Sequence, residues 1–309
     1  MKYGLDVGIY GRLAMPQQLL PLAQWADNST FDSIWLADHV VFPAKIESQY
    51  PYNPSGRFPV PLDEPLLEPV AAMGVLAGAT SRVRIGTAVL VMPYRNPVLL
   101  AKMLTTFDVF SGGRIILGAG VGWMAEEFAA LAAAPFEHRG RVTDEYIEIF
   151  KALCAGGEVS YDGEHYQLNT VHAQPPSVQR PHIPVVIGGV STPALRRTAR
   201  HGDGWLSTAL TLERMPERIE TLRRLTREQG RSEHAVELYH KLFINIGDAR
   251  ESVFGGREPG TGSAAQIIDD LKAIADCGYQ HIIVRYIGTD ADVQRQQLTQ
   301  FLDGIATKL

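Results

Sequence analysis

The feature that most restricts the fold is a repeated change of hydrophobic period. Short β-branched runs alternate with longer amphipathic segments along the whole chain. Runs such as RIILGAG (114–120) and HIIVRYI (281–287) are apolar on both faces, as strands of a parallel sheet buried between two layers must be. Strands are predicted at 2–9, 33–38, 83–90, 114–119, 183–188, 204–208, 238–246 and 281–287. Helices are predicted near 16–28, 66–79, 96–110, 137–154, 192–202, 215–229, 263–277 and 290–306. Eight strand–helix pairs predict an α/β (β/α)8 TIM barrel in one domain spanning 1–309. An open doubly wound sheet is the competing architecture, but no dinucleotide fingerprint follows the first strand.

Helix punctuation agrees with this division. Thr192 before Pro193 predicts an N-cap followed by proline at the first helical position. Ser263 is expected to cap the next-to-last helix, and Gly278 stands where its C-terminal glycine belongs. Insertions interrupt the repeat after strand 2 and around residues 155–180 and 248–262. The first, 39–64, holds five prolines and several aromatics, and is too long for an ordinary βα loop. It is expected to roof the face where ligands bind and help select substrate, or equally to form a rigid surface loop. Within the second, EVSYDGEHYQL (158–168) reads as a hairpin turning at Asp162-Gly163. The third is rich in glycine and charge.

Composition excludes several classes. The 45% hydrophobic content supports a large core, and 29 basic against 34 acidic residues give a formal charge of -5 with no basic run. A nucleic-acid partner is therefore not expected. No apolar stretch is long enough to span a bilayer, and the N-terminus lacks a signal-peptide core, so a cytoplasmic location with no membrane partner is the expectation. Cys154 and Cys277 read as two reduced core thiols.

Candidate chemistry gathers at strand C-terminal ends, where α/β barrels place their ligands. SIWLADH (33–39) delivers Asp38 and His39 there. His39 suits proton exchange near neutral pH, and equally a structural hydrogen bond. Asp38 is read as orienting a ring, fixing the histidine tautomer or capping the loop. GAGVGW (118–123) gives close backbone access or a tight turn. GGVS (188–191), running into a helix, presents amides and a helix N-terminus that favour an anion such as phosphate, with Arg196 and Arg197 one turn on. His165 and His172 fall near the hairpin, and His201, His234 and His281 read as peripheral. No spacing among them matches a metal site.

Taken together, WLADH (35–39), RVRIGTAVLVMPYRNPVLLAK (82–102), FSGGRIILGAGVGW (110–123), RGRVTDEYIEIF (139–150) and IPVVIGGVSTPALRRTARHGDGW (183–205) resemble the bacterial luciferase-like superfamily of flavin- and deazaflavin-dependent oxidoreductases. The likeness covers nearly the whole chain and is greatest for the group that uses coenzyme F-420. It implies a barrel, commonly a homodimer, acting on a small-molecule substrate by hydride transfer with His39 as acid or base. It also implies a cis peptide at Ala88-Val89. Asp38 and His39 would then lie near the cofactor ring, Thr87, Ala88 and Val89 would back it, and Gly120, Val121 and Gly122 would border its tail. Gly188, Gly189, Val190 and Ser191 would hold the phosphate. Glucose-6-phosphate dehydrogenases of the family carry a glutamate acid where this chain has Trp123. That departure argues against sugar-phosphate chemistry and makes Trp123 a substrate-pocket candidate, or else a packing residue. Two other readings are an FMN-dependent monooxygenase using dioxygen and a non-catalytic flavin-binding barrel.

Overall fold

Eight parallel strands close on themselves in the computed structural model, which describes all 309 residues. They are β1 (Lys2–Asp6), β2 (Ser33–Leu36), β3 (Arg84–Thr87), β4 (Ile115–Gly120), β5 (Val185–Gly188), β6 (Gly204–Ser207), β7 (Glu237–Ile246) and β8 (His281–Tyr286). Each pairs in parallel with the next, and β8 pairs back onto β1 through Lys2 opposite His281 and Leu5 opposite Val284. The helices that follow are α1 (Pro16–Asp27), α2 (Pro69–Ala79), α3 (Pro97–Ser111), α4 (Arg139–Ala155), α5 (Thr192–His201), α6 (Met215–Glu228), α7 (Ala264–Asp276) and α8 (Ala291–Gly304). This is the (β/α)8 barrel that the alternating periods predict.

Local chemistry explains the boundaries. Proline opens α1, α2 and α3, where its missing N–H costs nothing because no acceptor precedes it. Ser263 and Gln266 form a reciprocal capping box at α7, and Gly278 ends that helix with φ +96°. The cap of α5 is Ser191 rather than Thr192: its hydroxyl accepts from the Ala194 amide, and Thr192 is already helical. Arg114, entering β4, donates to the carbonyls of Ala77, Thr80 and Val83 and so ties down the end of α2.

Alternation along the strands sorts two cores. Trp35, Ile116, Val186, Leu206, Tyr239 and Ile283 plug the barrel interior, while a larger apolar shell fills the space between sheet and helices. The second insertion is the expected hairpin, Gly157–Asp162 against Gln167–Ala173, although Asp162 remains paired and the turn runs over 163–166. In the third insertion, Thr261–Gly262 forms a short strand beside β7. Cys154 is buried, Cys277 is half-buried, and both are free thiols. His281, read as peripheral, is instead buried and stacked on Tyr239 with ring centroids 3.9 Å apart. No helix is long and apolar enough to cross a membrane.

Candidate active site

The barrel mouth has a wall almost free of side chains. Beyond β3 the chain bulges inward through Ala88-Val89, whose peptide bond is cis, and resumes as a two-residue strand, Leu90–Val91, beside Ala119 and Gly120. Glycine is obligatory around this bulge. A Cβ at Gly118 would fall 1.6 Å from the Thr87 carbonyl oxygen, and at Gly120 and Gly188 it would fall 2.4 and 2.6 Å from Val89 methyls. Thr87 is buried and bridges to β4, its hydroxyl donating to the Gly118 carbonyl at 2.8 Å. The glycines of GAGVG therefore make room for their own neighbours: Val89 lies over the buried Gly120 and over Gly188, and Ala88, Val89 and Gly188 are half-buried at the mouth. Val121 and Gly122 follow, also half-buried, with Gly122 at φ +78° packed on Phe128 and Val91.

His39 faces this mouth on a firm support. Its Nδ1 lies 2.7 Å from Oε2 of Glu127, a side chain with no exposed surface on the short helix Ala125–Ala130. The other Glu127 oxygen accepts the Val40 amide at 2.7 Å, and Tyr94 donates its hydroxyl to Oε2 at 2.9 Å. Burial raises the Glu127 carboxyl, but the bonds from His39, Val40 and Tyr94 outweigh it and hold the group below the usual glutamate range. A carboxylate there requires a proton on Nδ1, which leaves Nε2 as the imidazole nitrogen open to a ligand.

Asp38 does different work from that expected. It makes no hydrogen bond to His39. Arg95 grips it with two hydrogen bonds of 2.8 and 2.9 Å, and the Val91 amide adds a third at 2.7 Å. Glu68 binds the same guanidinium. Burial pushes the Asp38 carboxyl upward while Arg95 pulls against it. The pair anchors the segment that follows the bulge. Tautomer control falls to Glu127, which sequence reasoning missed although it lies four residues beyond Trp123.

The first insertion supplies an aromatic roof. Phe42 and Phe58 lie 5.2 and 5.1 Å from the His39 ring, and Trp123 lies 6.2 Å from it. Trp123 in turn packs on Phe58 and Tyr50 at 5.3 and 5.1 Å. Across the mouth, the Gly189 amide is spent on the Leu206 carbonyl, and the Gly189 carbonyl accepts from Trp205. Of the GGVS loop, the amides of Val190 and Ser191 lack a partner within the chain and stand at the head of α5. Arg197 is committed to Asp144 and Gly140, and Arg196 lies exposed on the outer face of α5.

A barrel mouth that combines a glycine-lined bulge, a carboxylate-backed histidine and a helix N-terminus is built as a ligand site. Residues 6–255 match the luciferase-like monooxygenase family, and the chain belongs to it. An uncharacterized protein of Mycobacterium tuberculosis is 32% identical over 213 residues, 69% of this chain and 73% of its own. The chain is 30% identical to an FMNH(2)-dependent dimethylsulfone monooxygenase of Pseudomonas putida over 60% of this chain and 50% of that protein. It is equally similar, at 30%, to an F420-dependent glucose-6-phosphate dehydrogenase of Amycolatopsis mediterranei, over 63% and 54%. Among solved structures, an F420-dependent secondary alcohol dehydrogenase in complex with an F420-acetone adduct shares the fold with a TM-score of 0.78 at 16% identity, covering 97% of both chains.

Proposed function

We propose that this protein is a coenzyme F-420-dependent oxidoreductase in which His39 handles the proton that accompanies hydride transfer to or from a small organic substrate. The observation that carries the reading is the Glu127-backed His39 at the same strand C-terminal ends as the Ala88-Val89 bulge and the free amides that head α5. When bound, the deazaflavin would supply the hydride chemistry, and the chain's share is binding, orientation and proton control. Val190 and Ser191 would meet the phosphate with free amides at the α5 N-terminus. Trp123, Tyr50 and Phe58 would shelter the substrate from water.

An FMN-dependent monooxygenase is the second reading, favoured by the dimethylsulfone monooxygenase of equal identity. The test is a side-by-side fluorescence titration of the purified protein with coenzyme F-420 and with FMN. Preference for the deazaflavin supports hydride transfer. Preference for FMN, with substrate-coupled oxygen uptake, replaces it by the monooxygenase.

The proposed working unit is a homodimer. The helix α2 is apolar all round and exposes Val75 on its outer side, and the neighbouring α3 exposes Leu99, Val109 and Phe110. Phe110 is 80% exposed, and a helix hydrophobic on every side calls for a cover on its outer face.

A further inference from the structure

Opposite the glycine wall the barrel mouth holds buried charge that the reading above does not use. Asp6 lies two residues beyond Gly4, Lys241 two beyond Tyr239, and Arg285 two beyond Ile283. Strand alternation thus keeps all three on the inner face, above the aromatic plug. Oδ1 of Asp6 accepts the Gly8 amide at 2.8 Å and Nη1 of Arg285 at 3.0 Å, and Oδ2 pairs with Lys241. Nη2 of Arg285 donates to the Tyr10 hydroxyl at 2.9 Å.

The cluster is one anion short. Two cations share one carboxylate, so a positive charge is left without a buried partner, a costly arrangement. Burial draws Lys241 below the usual lysine range and only Asp6 opposes it, which is the same imbalance seen from the lysine. Donors are also in surplus. Lys241 has protons beyond the one it gives Asp6, and Tyr10, which accepts from Arg285, keeps its own proton to donate. Tyr50 of the aromatic roof lies within the field of Arg285 and Tyr10 and packs edge-on against Trp123, which in turn packs on His39, so the roof runs from the cluster to the histidine.

We propose that Lys241, Arg285 and Tyr10 form a carboxylate subsite, and that the substrate is a monocarboxylate with an apolar, ring-sized body lying under Tyr50, Phe58 and Trp123. This rests on the redox site proposed above. Charge decides between anions: a carboxylate matches the single unpaired positive charge. A phosphate monoester, at about −1.5 to −2 near neutral pH, would bring excess negative charge beside Asp6.

The test titrates the protein, with and without its flavin, with phenylacetate, phenylacetamide and benzyl phosphate, following tryptophan fluorescence. Phenylacetate is expected to bind about tenfold or more tightly than the amide, as a charge-assisted contact does. Arg285→Gln and Lys241→Met should each erase that preference and leave the amide unchanged. Asp6→Asn, which adds a second unpaired positive charge, should turn the preference toward benzyl phosphate. Should the methionine variant not fold, Lys241→Arg must retain the acid preference. Equal affinity for acid and amide overturns the subsite, as does an acid preference that survives the neutral variants or no binding of any probe. Failure to bind either flavin instead overturns the redox reading, and the flavin-free titration then decides the subsite alone.

Discussion

His39 and Glu127 are 88 positions apart in the chain and 2.7 Å apart in the fold, and their contact fixes which imidazole nitrogen faces the barrel mouth. Glu127→Gln keeps the shape but lets the amide either accept from or donate to Nδ1. In the native protein, nitrogen chemical shifts of His39 should report a single tautomer with the proton on Nδ1. The variant should show a mixture of tautomers, and turnover should fall about 10- to 100-fold, the range for losing a partner that orients a metal-bound histidine. An unchanged tautomer in the variant would free His39 from this control.

Arg95 neutralises the buried Asp38. Arg95→Met strands a fully buried carboxylate, and the cost of breaking such a pair is about 3–5 kcal/mol. The urea midpoint should fall accordingly, and adding Asp38→Asn to the same chain should restore much of it. A double variant no more stable than the single one would show that the pair does not act as a unit.

Glycine is tested most sharply at the wall. Gly118→Ala places a methyl against the Thr87 carbonyl, a backbone group that cannot step aside, and is expected to prevent folding or displace the bulge. Gly304→Ala, near the end of α8 with nothing within 4 Å, should be neutral or stabilising by up to about 1 kcal/mol. Comparable thermal midpoints for the two variants would refute the packing argument.

The barrel was legible because each strand and helix carries its own period, and all eight of both appear close to where the pattern puts them. The cap of α5 slipped by one residue because Ser191 and Thr192 both suit the role and proline tolerates either of the first two helical positions. Pairings across the barrel were not legible. Glu127 sits in MAEEF, which reads as a solvated acidic face, and its partner is remote in sequence. The same holds for Asp38 with Arg95. For Asp6, Lys241 and Arg285 a signal was available, since strand parity alone turns all three inward. His281 was misread because an imidazole opening a strand looks exposed until Tyr239 stacks on it from the neighbouring strand.

The apolar outer face of α2 and α3 makes a claim about assembly. Native protein should sediment as a dimer, and Phe110→Glu together with Val75→Glu should give a folded monomer, because two charges cannot be buried there without partners. A native monomer at micromolar concentration would leave that face without its proposed cover.

His240 gives stability a pH dependence whose sign can be derived. It is buried between sheet and helices, with Nδ1 2.8 Å from the Ser207 hydroxyl, and burial lowers it from 6.5 to about 4. Between these values the unfolded chain takes up a proton that the folded chain refuses. Stability is therefore full above pH 6.5, declines as pH falls, and by pH 4 has lost up to about 3 kcal/mol through this one group. Carboxylates also titrate toward the acid end, so the informative quantity is a difference. His240→Asn keeps an acceptor near Ser207 but cannot charge. Its deficit relative to the native chain, measured by urea unfolding at pH 7 and again at pH 5, should shrink by about 2 kcal/mol. A deficit equal at both pH values would mean that His240 takes up its proton in the folded protein as readily as in the unfolded one.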